Sequence, residues 1–501
     1  MIVVCLGAVA TAVGAACFDK LPSPIGDNAE FAVLARAVAS GHGLRYVNHP
    51  DLLAATKYPP GFPLMLAMWI PLFGGSMLVM KVVVFVCYVA LVPATYLLAR
   101  RFLGAGLSVV ASLLVATSGA VTFAPIGILP YSHEVLSDVP FALFGLVGLL
   151  LLMNARAGTR TILAGLAVVM WAYLVRSAGA SLVLAAALFL LVNSRKREAA
   201  MLLTAFAAFT ALWALRNHSA AGEGSRYIGV LLAKNPYDPD LGTVGPIDLL
   251  RRAWINLDAY IEGYLPENIL PLLAGHAGPR ALRAAVSIAV MAVMGLGGYG
   301  LRKKAGLINI YLAFYGAVYL AWPEVWRSGR FMVPVAPIAA VYFLAGLRRI
   351  TGRFRLGEFG TVAVAGVIAA TNLYPLSQYA SRPRGYSPGW ANYFTVASWA
   401  GKNTDRDAVF LCRSTYLFYI FSGRRTIQYP FTRDQQAMRD YLAESRPDYI
   451  VVDNELGFPQ TQQYLVPVLL TMQDALEQVY ETREPPTVVL KFSPPDEGEV
   501  K

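Results

Sequence analysis

Long apolar runs alternate with short polar breaks along most of this chain. The runs are Ile2 to Phe18, Met77 to Ala99, Leu107 to Ala124, Val139 to Met153, Ile162 to Leu174, Ala180 to Val192, Ala199 to Leu215, Ala284 to Tyr299, Leu307 to Ala321, Phe331 to Leu347 and Thr361 to Tyr374. A helix needs about 20 apolar residues to cross a bilayer core. The pattern therefore predicts an all-α polytopic membrane protein with about eleven transmembrane helices, the shorter ones drawing on flanking residues. The run Phe62 to Phe73 has about half the required length. Counted as a span it would invert every later loop, so an interfacial or re-entrant helix is expected there.

The polar breaks carry a charge pattern. Arg100-Arg101, Arg156 with Arg160, Arg195-Lys196-Arg197, Arg302-Lys303-Lys304, and Arg348, Arg349, Arg353 and Arg355 fall in alternate short loops. Short basic loops stay in the cytoplasm, which places the N-terminus inside and the C-terminus outside in the inner or plasma membrane. The first span lacks a basic n-region, and Gly14-Ala15-Ala16-Cys17 matches a cleavage or lipidation site only loosely, so the span is expected to be kept.

Composition agrees with lipid as the main solvent: 56% of residues are hydrophobic and 15% charged, with a mean hydropathy of +0.51. An ordinary soluble protein is excluded. The basic pI of 9.4 comes from the inner loops, whose only acids are Glu198 and Glu358, and it implies no nucleic-acid partner. Cys5, Cys17 and Cys87 lie in apolar runs and Cys412 stands alone, which gives neither a disulfide framework nor metal-ligand spacing.

This topology leaves three long segments outside: 19–75, 216–283 and 380–501. In the first, Phe31, Leu34, Ala35 and Val38 recur at helical spacing until Gly41-His42-Gly43 stops them. The second has a Gly/Pro-rich stretch from Lys234 to Pro246, then a helical pattern from Ile247 to Tyr264. Its Asp238-Pro239-Asp240 superficially matches a nucleotide-sugar Asp-x-Asp signature but is ordinary turn chemistry. The third reads as a small extracytoplasmic α/β domain, with strand-like runs Ala408 to Cys412 and Tyr449 to Val452 flanking a helix from Asp434 to Ser445. It lacks dinucleotide, P-loop and nucleophile-elbow motifs, and its tail Ser493 to Lys501 has a disordered composition. The domain division is thus 1–379 and 380–501.

Acids and cations gather on the predicted outer face. Asp27 follows the first run in Gly26-Asp27-Asn28-Ala29-Glu30-Phe31; Asp138 sits in Tyr131-Ser132-His133-Glu134-Val135-Leu136-Ser137-Asp138-Val139-Pro140. Each has a plain alternative as a helix cap, since Asp27 precedes a helical stretch and Asp138 is followed by Pro140. Carboxylates at the lip of hydrocarbon are costly unless paired. Lys57, Arg176 and Arg330 are the cations on the same face. Singly each could be a snorkelling anchor; jointly a guanidinium fork and an ammonium suit a phosphate.

These segments carry a resemblance. Asp27-Asn28-Ala29-Glu30-Phe31 with Ala35-Arg36 and Gly41-His42-Gly43, then Tyr58-Pro59-Pro60-Gly61-Phe62-Pro63-Leu64, then Leu136-Ser137-Asp138-Val139-Pro140-Phe141, then Arg330-Phe331-Met332-Val333-Pro334-Val335-Ala336-Pro337, together resemble the GT-C membrane glycosyltransferases. Within that class the chain is similar to protein O-mannosyltransferases and the lipid A aminoarabinose transferase, over roughly residues 1 to 350.

The resemblance implies a polyprenyl-phosphate-linked sugar as donor and transfer to an envelope acceptor on the extracytoplasmic face. It implies Asp27 as catalytic base and Asp138 as an assisting acid. It places Lys57 and Arg330 on the lipid phosphate, with Glu30, Tyr58, His133, Glu134 and Arg176 as further substrate-binding candidates. Many such proteins place the first-loop acids side by side, whereas Asp27 and Glu30 are one helical turn apart. A single displacement would invert the anomeric centre. No cofactor is required, although neighbouring carboxylates are able to hold a divalent metal. The alternative is a transporter or flippase of a lipid-linked intermediate. Against it, no internal repeat is evident and few charges fall in mid-span.

Overall fold

The computed structural model describes residues 1–24, 26–119, 128–154, 158–221, 229, 231–238, 241–271, 280–455 and 458–493. Most of them are helical. Among the described residues four helices are long and apolar enough to cross a membrane: Met77–Ala99, Lys196–Ala220, Ala281–Leu301 and the broken helix Glu358–Ala380. The other apolar helices are shorter, among them Ile2–Cys17, Ala105–Ala116, Asp138–Leu152, Thr159–Val175, Ser177–Val192 and Gly306–Leu320.

The expectation of about eleven transmembrane helices is therefore not confirmed by length. A helix of 12 to 17 residues rises only about 18–26 Å, against a hydrocarbon core of about 30 Å. Turns cut the apolar runs short. The third run leaves its helix at Ala116, and Phe331 to Leu347 begins as a 3₁₀ turn, Gly329–Met332, before the helix Ala336–Arg353.

The half-length run folds as Gly61–Ala67 followed by Ile70–Phe73. Phe62 and Leu66 face the core, while Met68, Leu72 and Phe73 are exposed. The helix Pro246–Ala259 is inverted: Ile247, Leu250 and Trp254 are exposed, whereas Arg252 and Asn256 are buried. Arg252 donates to the carbonyls of Leu231 and Ala233, each at 2.8 Å. Asn256 donates to Leu320 at 3.0 Å and Trp322 at 2.8 Å, satisfying carbonyls left over where the helix Gly306–Leu320 ends. An outward apolar face of this kind suits lipid. Asp238 pairs with Arg433 at 3.1 Å; residues 239 and 240 lie outside the described residues, as does 494–501 of the tail.

Beyond residue 387 the chain forms a sheet between helices. Strands β1 (Val409–Leu411), β2 (Arg425–Ile427), β3 (Tyr449–Val452), β4 (Leu476–Glu481) and β5 (Val488–Phe492) run in the order β2-β1-β3-β5-β4. β1 is parallel to β2 and β3, and β5 is antiparallel to β3 and β4. Helix Pro388–Asn403 packs Trp390, Tyr393, Phe394 and Ala397 against Phe410 and Val451 on one face. Met438 and Leu442 of Gln435–Ser445 pack with Ile427 and Ile450 on the other. Asp434 caps that second helix through the amides of Gln436 and Ala437. Two bonds tie the sheet to the segment that follows the first helix: the Thr426 amide donates to the Asn48 carbonyl at 2.7 Å, and the Asn48 side chain donates to Thr426 Oγ1 at 2.9 Å.

Candidate active site

The site starts at a backbone turn. Gly26 has φ +71°, a left-handed conformation that favours glycine, and it delivers Asp27 to the N-cap of the helix Asn28–Ala39. The Asp27 carbonyl accepts the first helical bond from Phe31 at 3.0 Å, but its side chain makes no capping bond. The carboxylate is used elsewhere. Oδ1 lies 3.2 Å from Lys57 Nζ, and Oδ2 lies 3.2 Å from an Arg330 terminal nitrogen.

Glu30, one turn further along and buried, shares the ammonium at 3.0 Å. It also accepts from the Tyr46 hydroxyl at 2.7 Å and the Tyr58 hydroxyl at 3.3 Å. The separation of the two acids in sequence thus does not separate them in space, because Lys57 Nζ occupies the point on which they converge. Among the described residues no group of three His, Cys, Asp or Glu side chains is arranged to hold a metal ion.

Lys57 is held by its own motif. Gly61, at the end of Tyr58-Pro59-Pro60-Gly61, packs against the backbone where the helix Thr159–Val175 ends; a Cβ there would lie 2.5 Å from the Leu174 carbonyl carbon. That same helix end presents Arg176, so one close approach fixes two cations. Arg176 is 3.1 Å from Asp138 Oδ2 as an ion pair and donates to the Ser137 hydroxyl at 3.0 Å. Asp138 is itself buried and caps nothing, since the helix Asp138–Leu152 has no side-chain cap bond. The Phe331 ring is close to both guanidiniums, 5.7 Å from Arg176 and 5.3 Å from Arg330.

Electrostatics follow from this layout. Burial alone would push the Asp27 pKa up, yet Lys57 and Arg330 outweigh it and hold the carboxyl below the usual range. Burial opposes the Lys57 charge, but Glu30 and Asp27 reverse that and raise its pKa. Arg330 behaves likewise, with Asp138 and then Asp27 overcoming burial. The result is a chain of alternating charge, Glu30, Lys57, Asp27, Arg330, Asp138, Arg176, assembled from five separate stretches of sequence. Such a chain can exchange an internal carboxylate for an external anion at its cations.

No protein-family model matches the chain, and no curated protein matches it in sequence. Solved structures do match in shape. ArnT from Cupriavidus metallidurans bound to undecaprenyl phosphate superposes with a TM-score of 0.60 at 13% identity, covering 97% of each chain. The archaeal oligosaccharyltransferase AglB from Archaeoglobus fulgidus, in complex with an inhibitory peptide and a dolichol-phosphate, superposes with a TM-score of 0.56 at 14% identity. That match covers 99% of this chain and 74% of AglB. Both are GT-C fold glycosyltransferases. This chain has the GT-C fold.

Within the GT-C fold the expected residues divide into two groups. Asp27, Glu30, Lys57, Tyr58, Asp138, Arg176 and Arg330 come together as described. His133 and Glu134 take other partners. The His133 ring lies beside Phe18 and Tyr379, and burial with Lys81, Arg382 and Arg384 nearby lowers its pKa to about 3. Glu134 is pushed up to about 7, chiefly by burial, with Lys81 as its main opposing charge. Lys81 donates to the Asp19 and Leu21 carbonyls at 3.1 and 2.5 Å, anchoring the chain just after the first helix.

Four further residues support the site without having been singled out. Tyr46 orients Glu30, Ser137 braces Arg176, Ser328 accepts from the Arg330 amide at 3.3 Å, and the Tyr131 hydroxyl reaches Ser328 at 3.5 Å. Ser137 and Ser328 stand beside motif residues, which was a usable signal. Tyr46 had none.

Proposed function

We propose that this protein is an inverting glycosyltransferase that moves a sugar from a polyprenyl-phosphate donor to an acceptor hydroxyl in the cell envelope. The observation that carries this reading is the grip of Lys57 and Arg330 on the two oxygens of Asp27. Two positioned cations beside a carboxylate are what a phosphate leaving group and a proton acceptor require. The undecaprenyl phosphate in ArnT and the dolichol-phosphate in AglB support a donor of that class.

In the proposed reaction the donor phosphate draws Lys57 and Arg330 away from Asp27. Losing its cations raises the basicity of Asp27 at the moment a base is needed. The acceptor oxygen then bonds to the anomeric carbon while its proton passes to Asp27. The bond from that carbon to the phosphate oxygen breaks, and the phosphate leaves with the electron pair toward Lys57 and Arg330. Glu30 keeps Lys57 oriented; Asp138 and Arg176 position Arg330 and the sugar.

The catalytic side is the extracytoplasmic face, with the N-terminus inside and residues 380–501 forming an outer domain, a reading that the alternate basic loops support. Purified protein incubated with a panel of radiolabelled polyprenyl-phosphate sugars and envelope extract is expected to transfer the label. Absence of both transfer and donor hydrolysis across the panel would refute the assignment.

A further inference from the structure

A second cationic site lies away from the Asp27 chain. Arg36 follows Asp27 by nine residues on the same helix, about 13 Å along its axis. There a cavity of about 470 Å³, open on one side, is lined by Arg36, Ser40, His42 and His49 of the first outer segment and by Tyr419 and Arg425 of the C-terminal region. Its volume falls within the range of small-molecule sites. The walls are fixed to each other, because Thr426, next to Arg425, makes the two bonds to Asn48 described above.

The cavity lacks internal countercharge. Arg36 spends one N–H on the Gly75 carbonyl at 2.9 Å, and among the described residues no carboxylate lies within ion-pair distance of it. Burial works against its charge, with Tyr419 the next influence in the opposite direction. The two nearby acids stand at the rim in water: Asp407, 3.3 Å from Arg425, has its side chain 86% exposed, and Asp51, 3.6 Å from His49, has its side chain 78% exposed. A half-buried guanidinium without a countercharge is costly, and an external anion relieves that cost.

Its position indicates the source of the anion. Gly75 immediately precedes Ser76, the N-cap of the membrane helix Met77–Ala99. Just before it, Leu72 and Phe73 are exposed, as befits side chains that enter hydrocarbon. Arg36 therefore stands at headgroup depth.

We propose that this pocket binds the phosphate-bearing headgroup of an anionic lipid of the outer leaflet. The guanidiniums of Arg36 and Arg425 take the phosphate oxygens, for which their forks are suited, and the Nε2 atoms of His42 and His49 supply hydrogen bonds to the rest of the headgroup, their Nδ1 atoms being held by the Ser40 hydroxyl and the Asp51 amide. Because one wall belongs to the C-terminal region, an occupied pocket also fastens that region to the first outer segment. The site is independent of the sugar-transfer reading; only its assignment to the outer leaflet rests on the orientation proposed above.

The test uses the full chain in neutral detergent, with native mass spectrometry counting short-chain phosphatidylglycerol adducts. Saturable binding is expected, with phosphatidylcholine about tenfold weaker. Arg36→Gln and Arg425→Gln should each weaken the adduct about tenfold, the loss of one charge-assisted contact. The Arg425 side chain is 47% exposed, so that variant reports on binding even if Arg36→Gln folds poorly. Equal affinity for the two lipids, or wild-type binding in Arg425→Gln, would overturn the proposal. Displacement of the lipid by inorganic phosphate at equal concentration would overturn the lipid assignment and make the ligand a free oxyanion.

Discussion

Arg330 meets Asp27 at 3.2 Å across 303 positions of sequence, and this pairing closes the candidate site. It joins the turn that starts the first outer helix to the turn that precedes the helix Ala336–Arg353. Asp27 makes no side-chain capping bond, and its two carboxylate oxygens face Lys57 and Arg330 instead.

Asp27→Asn should leave the helix Asn28–Ala39 intact, because no capping bond is lost. Turnover should fall by about 10² to 10⁴, the usual cost of removing a general base. Donor affinity should stay level or rise, since the internal competitor for Lys57 and Arg330 is gone. Near-normal turnover in a single-turnover assay would remove Asp27 from the chemical step.

Lys57→Ala and Arg330→Ala should each weaken donor binding about 10- to 100-fold, corresponding to about 1.5–3 kcal/mol for a charge-assisted contact. Lys57→Ala should also lower the Tm more, because it leaves buried Glu30 without its cation. Donor titration of both variants beside thermal unfolding in detergent separates the two effects. Unchanged affinity in both would reduce these residues to interfacial anchors.

Gly61→Ala should disturb the site at a distance. The added methyl meets the backbone of Leu174 and Val175, and relieving an overpacked contact costs about 1–3 kcal/mol. Both Lys57 and Arg176 would shift with it. A lowered Tm with turnover reduced further than stability alone explains is the expected result; a wild-type Tm would show that the contact yields freely.

Glu134 should make stability fall as pH rises. Its pKa climbs from an ordinary 4.5 to about 7 in the fold, so between those values the folded protein holds a proton that the unfolded chain has released. Folded protein thus binds more protons there, and the slope of stability against pH is negative. Glu134→Gln should flatten the Tm profile from pH 4.5 to 7 in detergent. An identical profile in wild type and variant would mean that Glu134 does not titrate in this range.

Orientation can be read directly. A reporter fused after Lys501 should be active only on the extracytoplasmic side, as the alternate basic loops require. Cytoplasmic activity would move the whole site to the wrong face for a lipid-linked donor.

Much of the architecture was legible because it rests on local chemistry. Apolar runs must lie in lipid or in a core, so the helices fall where the runs do, and Asp434 caps the helix Gln435–Ser445 as its sequence allows. β1 and β3 were visible as short apolar runs. β2, two of whose three residues are Arg425 and Thr426, β4, which has no buried residue, and β5 were not, because strands of that kind exist through their partners rather than their composition.

The sequence by itself determined a membrane-embedded helical protein, the motif residues, and the presence of acids and cations on one predicted face. Tertiary structure alone decided how those charges pair. It brought Glu30 onto Lys57 and Arg330 onto Asp27, and it gave His133 and Glu134 different neighbours although they stand only a few residues before Asp138. It also set the helix lengths, since turns such as Ser177–Gly179, just after Arg176, form where a neighbouring backbone approaches. The physical reason is range: hydrophobicity and capping act within a few residues of chain, while an ion pair between residues 27 and 330 exists only once everything between them has folded.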